Sequence, residues 1–515
     1  MHVSLTDDGN TTTPPCSALA SCTATNGNVP FTADIFSSIA YVDATNNAIL
    51  PVDTSQSPPA VGLPIKPAGG LTPIRPSVSP NGRDLFVADD NSHFVYIIDT
   101  QTNKVVASVS GLGLASKTGD TADVAVGPQT APPSPPGKFD PDSVYAYVAN
   151  AAADNVQVID GDPNNTSTFG TVVKTITLQN SESPGAEHLK VSPTILENGT
   201  RYTDLYVVRP GGYEVCVIDA EPTSSTFLTQ IVLQPPVGNT DGCIALNVSG
   251  SVLPKYINIT PDGLFAFVSE SDGSSKGQVD VIDVEPGSAT QYMVIASINT
   301  SKASPACNVP EDIGETTDWN GGSSHLIGQT TWVACSDSNE VVLIQEVLPA
   351  TAPPTFTVLT TIAANTGDQA PKDIAFKPDG TLALVTISGS NTLTPINPVT
   401  GAVGTDIKTT GVVVPTGIDH IPNASLHALT SVLPNATSGY AYESSVVAGG
   451  GTKAYTFVDV NGGLAALGLT LSPDGKITSS GVTGAAGNYQ VTIQVTDSAT
   501  PKPNVLQQVV SLTIN

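Results

Sequence analysis

The chain has 515 residues, with 19 Lys and Arg against 46 Asp and Glu, for a net charge of −27. An acidic excess of this size repels phosphate backbones and anionic bilayers, which argues against nucleic acid and membrane surfaces as partners. No run approaches the roughly 18 apolar residues of a membrane span, so membrane insertion is not expected.

Charged residues make up only 13% of the chain, and Thr, Ser, Asn, Gly and Pro supply most of the remaining polarity. Such a Lys-poor composition points to a secreted protein, extracellular or on the cell surface. The opening MHVSLTDDGN has neither a basic n-region nor an apolar h-region, so the expectation is that a leader has been removed.

Residues 1–36 show little periodicity and contain Cys16 and Cys22. They read as a head segment: a tail, a strap, or a strand exchanged with a neighbouring molecule. A repeat starts at residue 37 and runs to 428. Its most regular element is a β-rich run closed by an acid or amide: ILPVD ending at Asp53, YIID at Asp99, QVID at Asp160, CVID at Asp219, DVID at Asp283, VLIQ at Gln345 and TPIN at Asn397. The copies lie 46 to 64 residues apart. Before each "VID" run stands another β-rich run, such as DLFVAD (84–89) or LFAFVSE (264–270), and after it a polar turn and a fourth run, such as VVASV. Four short strands per unit at this period predict β-propeller blades. The closing Asp suits hydrogen bonding to the following turn.

A further run opens most units. It is clearest as PKYINITPDG (254–263) and PKDIAFKPDG (371–380), altered in PIRPSVSPNG (73–82), and weaker in TADVAVGP, AEHLKVSP, PEDIGETT and PTGIDHIP (415–422). Residues 37–53 lack this inner strand, and 415–422 lack the outer strands. The two halves predict one shared blade that closes a ring of seven in a 3+1 arrangement, leaving no open sheet edge.

The P-x-x-I-x-x-x-P-D-G run followed by V-x-V-I-D resembles the YVTN-type repeat of seven-bladed propellers in secreted and surface proteins, over roughly residues 37–425. The resemblance implies an all-β fold and leaves structural modules, ligand binders, lactonases and lyases open as functions. Insertions at 128–142 and 234–253 depart from the pattern and read as surface loops.

Residues 429–515 change character. LPNATSGYAY, GLTLSPDGKI and AAGNYQVTIQVTDS resemble the immunoglobulin-like domains appended to surface proteins. That resemblance implies a small β-sandwich acting as a spacer or adhesion module. No Cys lies in this segment.

Aligning the seven inner strands places Arg75, Asp123, His188, Tyr256, Asp312, Asp373 and Gly417 at one level of the channel mouth. The level before it holds Ile74, Ala122, Glu187, Lys255, Glu311, Lys372 and Thr416. Arg75, Asp123, His188, Tyr256, Asp312 and Asp373 are therefore candidates for binding a small polar ligand. Asp123, Asp312 and Asp373 are candidate ligands for a divalent cation such as calcium. In an enzyme, His188 and Asp312 would be the catalytic pair. The structural alternative is that polar residues at a solvated mouth are ordinary. No G-x-S-x-G or H-E-x-x-H occurs, and DGDPNN (160–165) and DVNGG (459–463) read as turns.

The six cysteines fall in sequence-local couples, Cys16 and Cys22, Cys216 and Cys243, Cys307 and Cys335. Neighbour pairing is one of 15 connectivities. The absence of C-x-x-C removes zinc ribbons and thioredoxin chemistry. Nine sequons, at Asn10, Asn164, Asn165, Asn198, Asn247, Asn258, Asn299, Asn423 and Asn435, are glycosylation candidates, against roughly six or seven expected by chance in such a composition.

The resulting expectation is a secreted structural or interaction protein. The propeller would scaffold self-assembly into a homo-polymer, as a filament or surface layer, or bind other surface proteins or carbohydrate. The alternative is a propeller enzyme of lactonase or lyase type, or a metal- or small-ligand-binding module, using the channel mouth.

Overall fold

The computed structural model describes residues 39–515, except for stretches at 68–72, 90–93, 113–120, 129–143, 316–329, 348–352, 366–369, 378–381, 410–413, 421–426, 450–455 and 497–504 and some shorter turns. The head segment with Asn10, Cys16 and Cys22, the sequons Asn164, Asn198 and Asn423, and most of the 128–142 insertion lie outside the described residues.

Among the described residues, seven antiparallel sheets of four or five strands precede residue 421. Six start with an inner strand, Pro73–Val78, Thr121–Pro128, His188–Val191, Leu253–Ile259, Pro310–Glu315 and Pro371–Phe376, and continue as meanders; in the third, a separate hairpin of Ile195–Glu197 and Thr200–Tyr202 is inserted after the inner strand. The remaining sheet joins Ile39–Ala44, Ala48–Asp53 and Ala60–Val61 to an inner strand from far along the chain, Ile418–His420. Tyr41 pairs with Asp419 across that seam. Each inner strand packs on the next, and Ile418–His420 packs on Pro73–Val78, so the cycle is closed. The architecture is a β-propeller.

Burial explains the residue pattern. Middle strands such as Asp84–Asp89 and Glu214–Asp219 are buried along their whole length, because a neighbouring sheet covers each face. They are accordingly rich in Val, Ile and Leu rather than alternating. Outer strands such as Lys104–Val109 alternate exposed and covered residues. The cores lie between sheets: Tyr147, Ala149 and Val156 of the sheet begun by Thr121–Pro128 pack with Leu205, Val207 and Ile218 of the next.

The acids that close the "VID" strands fasten the following turns. Asp160 accepts hydrogen bonds from Asp162 N (3.0 Å) and Thr168 Oγ1 (2.5 Å). Asp283 accepts from Glu285 N (3.0 Å), Ser288 Oγ (2.6 Å) and Thr290 Oγ1 (2.5 Å). Asp459 accepts the amides of Gly463 and Leu464, both at 2.9 Å, at the short helix Gly463–Ala466. Cys216 is bonded to Cys243, and Cys307 to Cys335. In the P-N-G and P-D-G corners, Gly82 and Gly263 take φ of 73° and 72°, the left-handed region that a Cβ disfavours.

The C-terminal residues build their own core. One sheet orders Val432–Ala436, Val505–Ile514, Gly487–Thr496 and Thr456–Asp459, and another orders Tyr442–Ser445, Lys476–Ser479 and Thr470–Leu471. Leu433, Phe457, Ile477, Ile493 and Leu512 are among the residues buried together there.

Candidate functional site at the channel mouth

A break in strand pairing aims the side chains. Pairing of the inner strand with its neighbour slips between Ile74 and Pro76, Thr121 and Asp123, Pro254 and Ile257, Pro310 and Ile313, and Pro371 and Ile374. The residues inside these bulges are those of the two aligned levels. A bulge leaves its extra residue unpaired and redirects its side chain, and Arg75 sits in one with a φ of 44°.

The predicted level does converge. Arg75, Asp123, His188, Asp312 and Asp373 line one cavity of about 220 Å³. Tyr256 joins them through its ring: the Arg75 guanidinium carbon lies 4.0 Å from the ring centroid, and the His188 ring lies 4.3 Å away, centroid to centroid. Gly417 brings backbone alone. A Cβ there would fall 2.8 Å from Asp43 Oδ2 and 3.1 Å from Arg75 Cα.

The carboxylates are mostly occupied with holding the ring. Asp123 accepts the amides of Val124 (2.8 Å) and, in the next sheet, Leu189 (3.2 Å). Asp373 accepts Ile374 N (2.6 Å) and, in the next sheet, Ile418 N (2.9 Å). Asp312 accepts Ile313 N (2.7 Å) and pairs with Arg75 Nη1 at 2.5 Å. Burial and the Asp312 charge push the Asp373 carboxyl well above its ordinary range, against the pull of Arg75 and the two amides. Among the described residues, Asp123, Asp312 and Asp373 do not form a set whose ligand oxygens all lie within 4.8 Å. Their oxygens are spread around the ring and engaged by amides and a guanidinium.

The catalytic pairing also changes. Asp312 is bound to Arg75, and the carboxylate nearest His188 is Asp123, with Oδ2 at 3.5 Å from Nδ1. His188 Nδ1 is buried and makes no hydrogen bond. One level out, Glu311 Oε1 accepts from Lys372 Nζ at 2.7 Å and lies 3.5 Å from Lys255 Nζ. Burial pushes the Glu311 carboxyl up, but the two ammonium groups outweigh it and hold the group below its ordinary value.

Three ring residues escaped sequence reasoning. Asp43 accepts Arg75 N (2.7 Å), Thr416 N (2.9 Å) and Gly417 N (2.7 Å) across the seam. Asp419 accepts Val78 N at 2.7 Å. Asn258, also one of the sequons, donates through Nδ2 to Ile313 O at 2.7 Å and lines the channel cavity. A polar residue on an inner strand, two places after the aligned level, was the available signal for Asn258 and Asp419. Of the other described sequons, Asn165 donates to Asp160 and Asn247 to Ser297 Oγ, while Asn299 and Asn435 are exposed.

No family model and no curated protein matches this sequence. Solved structures do. The chain is similar to a candidate 6-phosphogluconolactonase of Bacteroides uniformis at 13% identity and a TM-score of 0.51, covering 74% of this chain and 98% of that one. A second candidate 6-phosphogluconolactonase, from Bacteroides fragilis, matches at 14% identity and a TM-score of 0.50, covering 76% and 99%. The periplasmic gluconolactonase of Pseudomonas aeruginosa matches at 17% identity and a TM-score of 0.49, covering 75% and 99%. At these identities the likeness establishes the propeller fold alone.

Proposed function

We propose that this is a secreted, seven-bladed propeller of YVTN-like type that hydrolyses a small lactone at its channel mouth. The observation that carries the reading is His188. It is the one aligned residue with an unpartnered buried nitrogen, and that nitrogen faces Asp123 while the ring lies beside Tyr256 and the cavity. With Nδ1 protonated toward Asp123, Nε2 is the basic nitrogen. It takes a proton from water as the water oxygen bonds to the lactone carbonyl carbon. Arg75 stands nearby to stabilise the oxyanion. Collapse breaks the ring C–O bond, and the imidazolium returns its proton to the leaving alkoxide. The fold likeness to two candidate 6-phosphogluconolactonases supports this class, and two disulfides suit an oxidising compartment.

The test is acid release from glucono-1,5-lactone and related aldonolactones in a pH-stat, above the spontaneous rate. His188→Gln should lower kcat about 100-fold or more with KM nearly unchanged. Absence of turnover over the panel, or full activity in His188→Gln, would end this reading.

A second reading, an assembly or adhesion role for an immunoglobulin-like C-terminal module, is favoured by one observation. Val458, Val505 and Val509 are exposed on one face of its larger sheet, in register around Gln494 and Gln507. Partners would be further copies, other surface proteins or carbohydrate. Light scattering and negative-stain microscopy of native material decide it: polymers support it, and a monomer that binds no surface component refutes it.

A further inference from the structure

Between the sheets begun by His188–Val191 and Leu253–Ile259, two acids are sealed from solvent. Glu270, on Phe265–Ser271, and Asp280, on Gly277–Asp283, are both 0% exposed. Both carboxylates accept hydrogen bonds from the Gln278 side-chain nitrogen. Among the described residues, no Lys or Arg forms an ion pair with either. Two unpaired carboxylates in such a place carry a large desolvation cost unless a positive charge joins them.

The arrangement around them shows where that charge fits. The Gln278 side-chain nitrogen lies 3.0 Å from Glu270 Oε2, 2.7 Å from Asp280 Oδ1 and 3.4 Å from the Asn247 carbonyl. Three oxygens thus surround one point now taken by a neutral amide. The fourth observation is Glu270 Oε1, which is buried and without a hydrogen-bond partner. We infer that this interblade pocket is a calcium site, with Glu270, Asp280 and the Asn247 carbonyl as ligands and the Gln278 amide displaced from the point that the ion takes.

The chemistry selects the ion. All the donors are oxygens, which suit a hard cation, and two carboxylates match a divalent charge. Calcium accepts irregular sets at about 2.3–2.6 Å, which the two carboxylate oxygens reach by contracting at most about 0.7 Å and the Asn247 carbonyl by about 1 Å, whereas magnesium demands near-octahedral geometry at about 2.0–2.1 Å. The Gln278 nitrogen is held there by the same three acceptors that the cation would take over, so the ion displaces it. Asn247 and Ser297 are exposed at the outer edge and give the ion a way in; Asn247 N and Ser297 Oγ both donate to Asp280. The site is separate from the channel mouth and does not depend on lactone hydrolysis.

The experiment uses the full chain after chelator treatment. Calcium is titrated by calorimetry and by thermal unfolding, with magnesium as the control ion, in the parent, Glu270→Gln and Asp280→Asn. The expected result is one site with a Kd at or below about 1 mM. Tm should rise roughly 3–6 °C at a hundredfold excess of calcium over Kd, and binding should weaken at least about tenfold in each variant, as loss of one carboxylate ligand implies. Glu270→Gln is nearly isosteric and removes a buried ionisable group, so it is expected to fold, and the parent titration stands without it. No binding by the parent up to about 10 mM calcium, or undiminished binding in both variants, would overturn the inference.

Discussion

Replacing Asp43 by Ala removes the acceptor that joins the two ends of the ring. Asp43 is fully buried and receives four donors: Arg75 N, Thr416 N, Gly417 N and Thr416 Oγ1, the last at 2.8 Å. Thr416 and Gly417 stand 373 and 374 residues further along the chain. Burial pushes the Asp43 carboxyl above its ordinary value, and these donors pull it back, so hydrogen bonds rather than a cation hold it. In the Ala variant the hydroxyl can rotate to a new partner, but three amides lose theirs. At about 1–3 kcal/mol for each buried donor left unsatisfied, with some relief from entering water, the expected loss is about 3–6 kcal/mol. Asp43→Asn keeps one oxygen for the Thr416 and Gly417 donors and sets an NH₂ against Arg75 N, so its loss should be about 1–3 kcal/mol. Urea unfolding followed by tryptophan fluorescence reads this cleanly. The chain has two tryptophans, Trp319 and Trp332, neither in the C-terminal module, and Trp332 is buried against Phe376 in the propeller. A loss below about 1 kcal/mol for the Ala variant, the size of a single ordinary hydrogen bond, or equal losses for Ala and Asn, would refute the seam argument.

The pH dependence should favour mild acid. Burial, with help from Asp219, pushes Asp204 up to about 6, and burial pushes Glu214 up to about 7. An acid whose folded pKa is raised contributes stability that is present below its unfolded pKa near 4 and is lost as pH rises through the folded value. Unfolding free energy should therefore fall between about pH 4 and 7, and Asp204→Asn should flatten that fall and gain about 1–3 kcal/mol at pH 8; an unchanged profile in urea melts would contradict this. Each disulfide closes a loop of 27 or 28 residues, so Cys307→Ser with Cys335→Ser should cost roughly 3–4 kcal/mol in the same assay, and a loss under about 1 kcal/mol would show that reduced native structure compensates. Gly417→Ala should cost about 1–3 kcal/mol, because its Cβ meets Asp43 Oδ2 and the Arg75 backbone; a neutral effect would mean that the seam yields without strain.

The repeat made the fold legible because each blade states the same pattern in its own residues. Counting runs that end at Asp99, Asp160, Asp219 and Asp283 located third strands, and the missing inner strand before residue 37 pointed to its replacement by Ile418–His420. Aligning the repeats also placed Arg75, Asp123, His188, Asp312 and Asp373 around one cavity. What alignment could not give is the partner of each residue. Asp123 and Asp312 hold the same place in their strands, yet one bonds the Leu189 amide of the next sheet and the other meets Arg75 from across the ring. The difference arises in the neighbouring repeat, whose sequence is free to vary, and in a bulge whose slip depends on pairing with a second strand. The same reason hid the Glu270–Asp280 pocket. Its acids sit on adjacent strands in diagonal register, with Glu270 opposite Gln278 and Asp280 opposite Val268, and only Asn247, just after the preceding sheet's Ile244–Ala245, completes the set of oxygens. In a ring of repeats, sequence periodicity reports position, whereas chemistry arises at the contacts between units. Sites of this kind are therefore best sought where two blades meet and a polar atom lacks a partner, as Glu270 Oε1 and His188 Nδ1 both do.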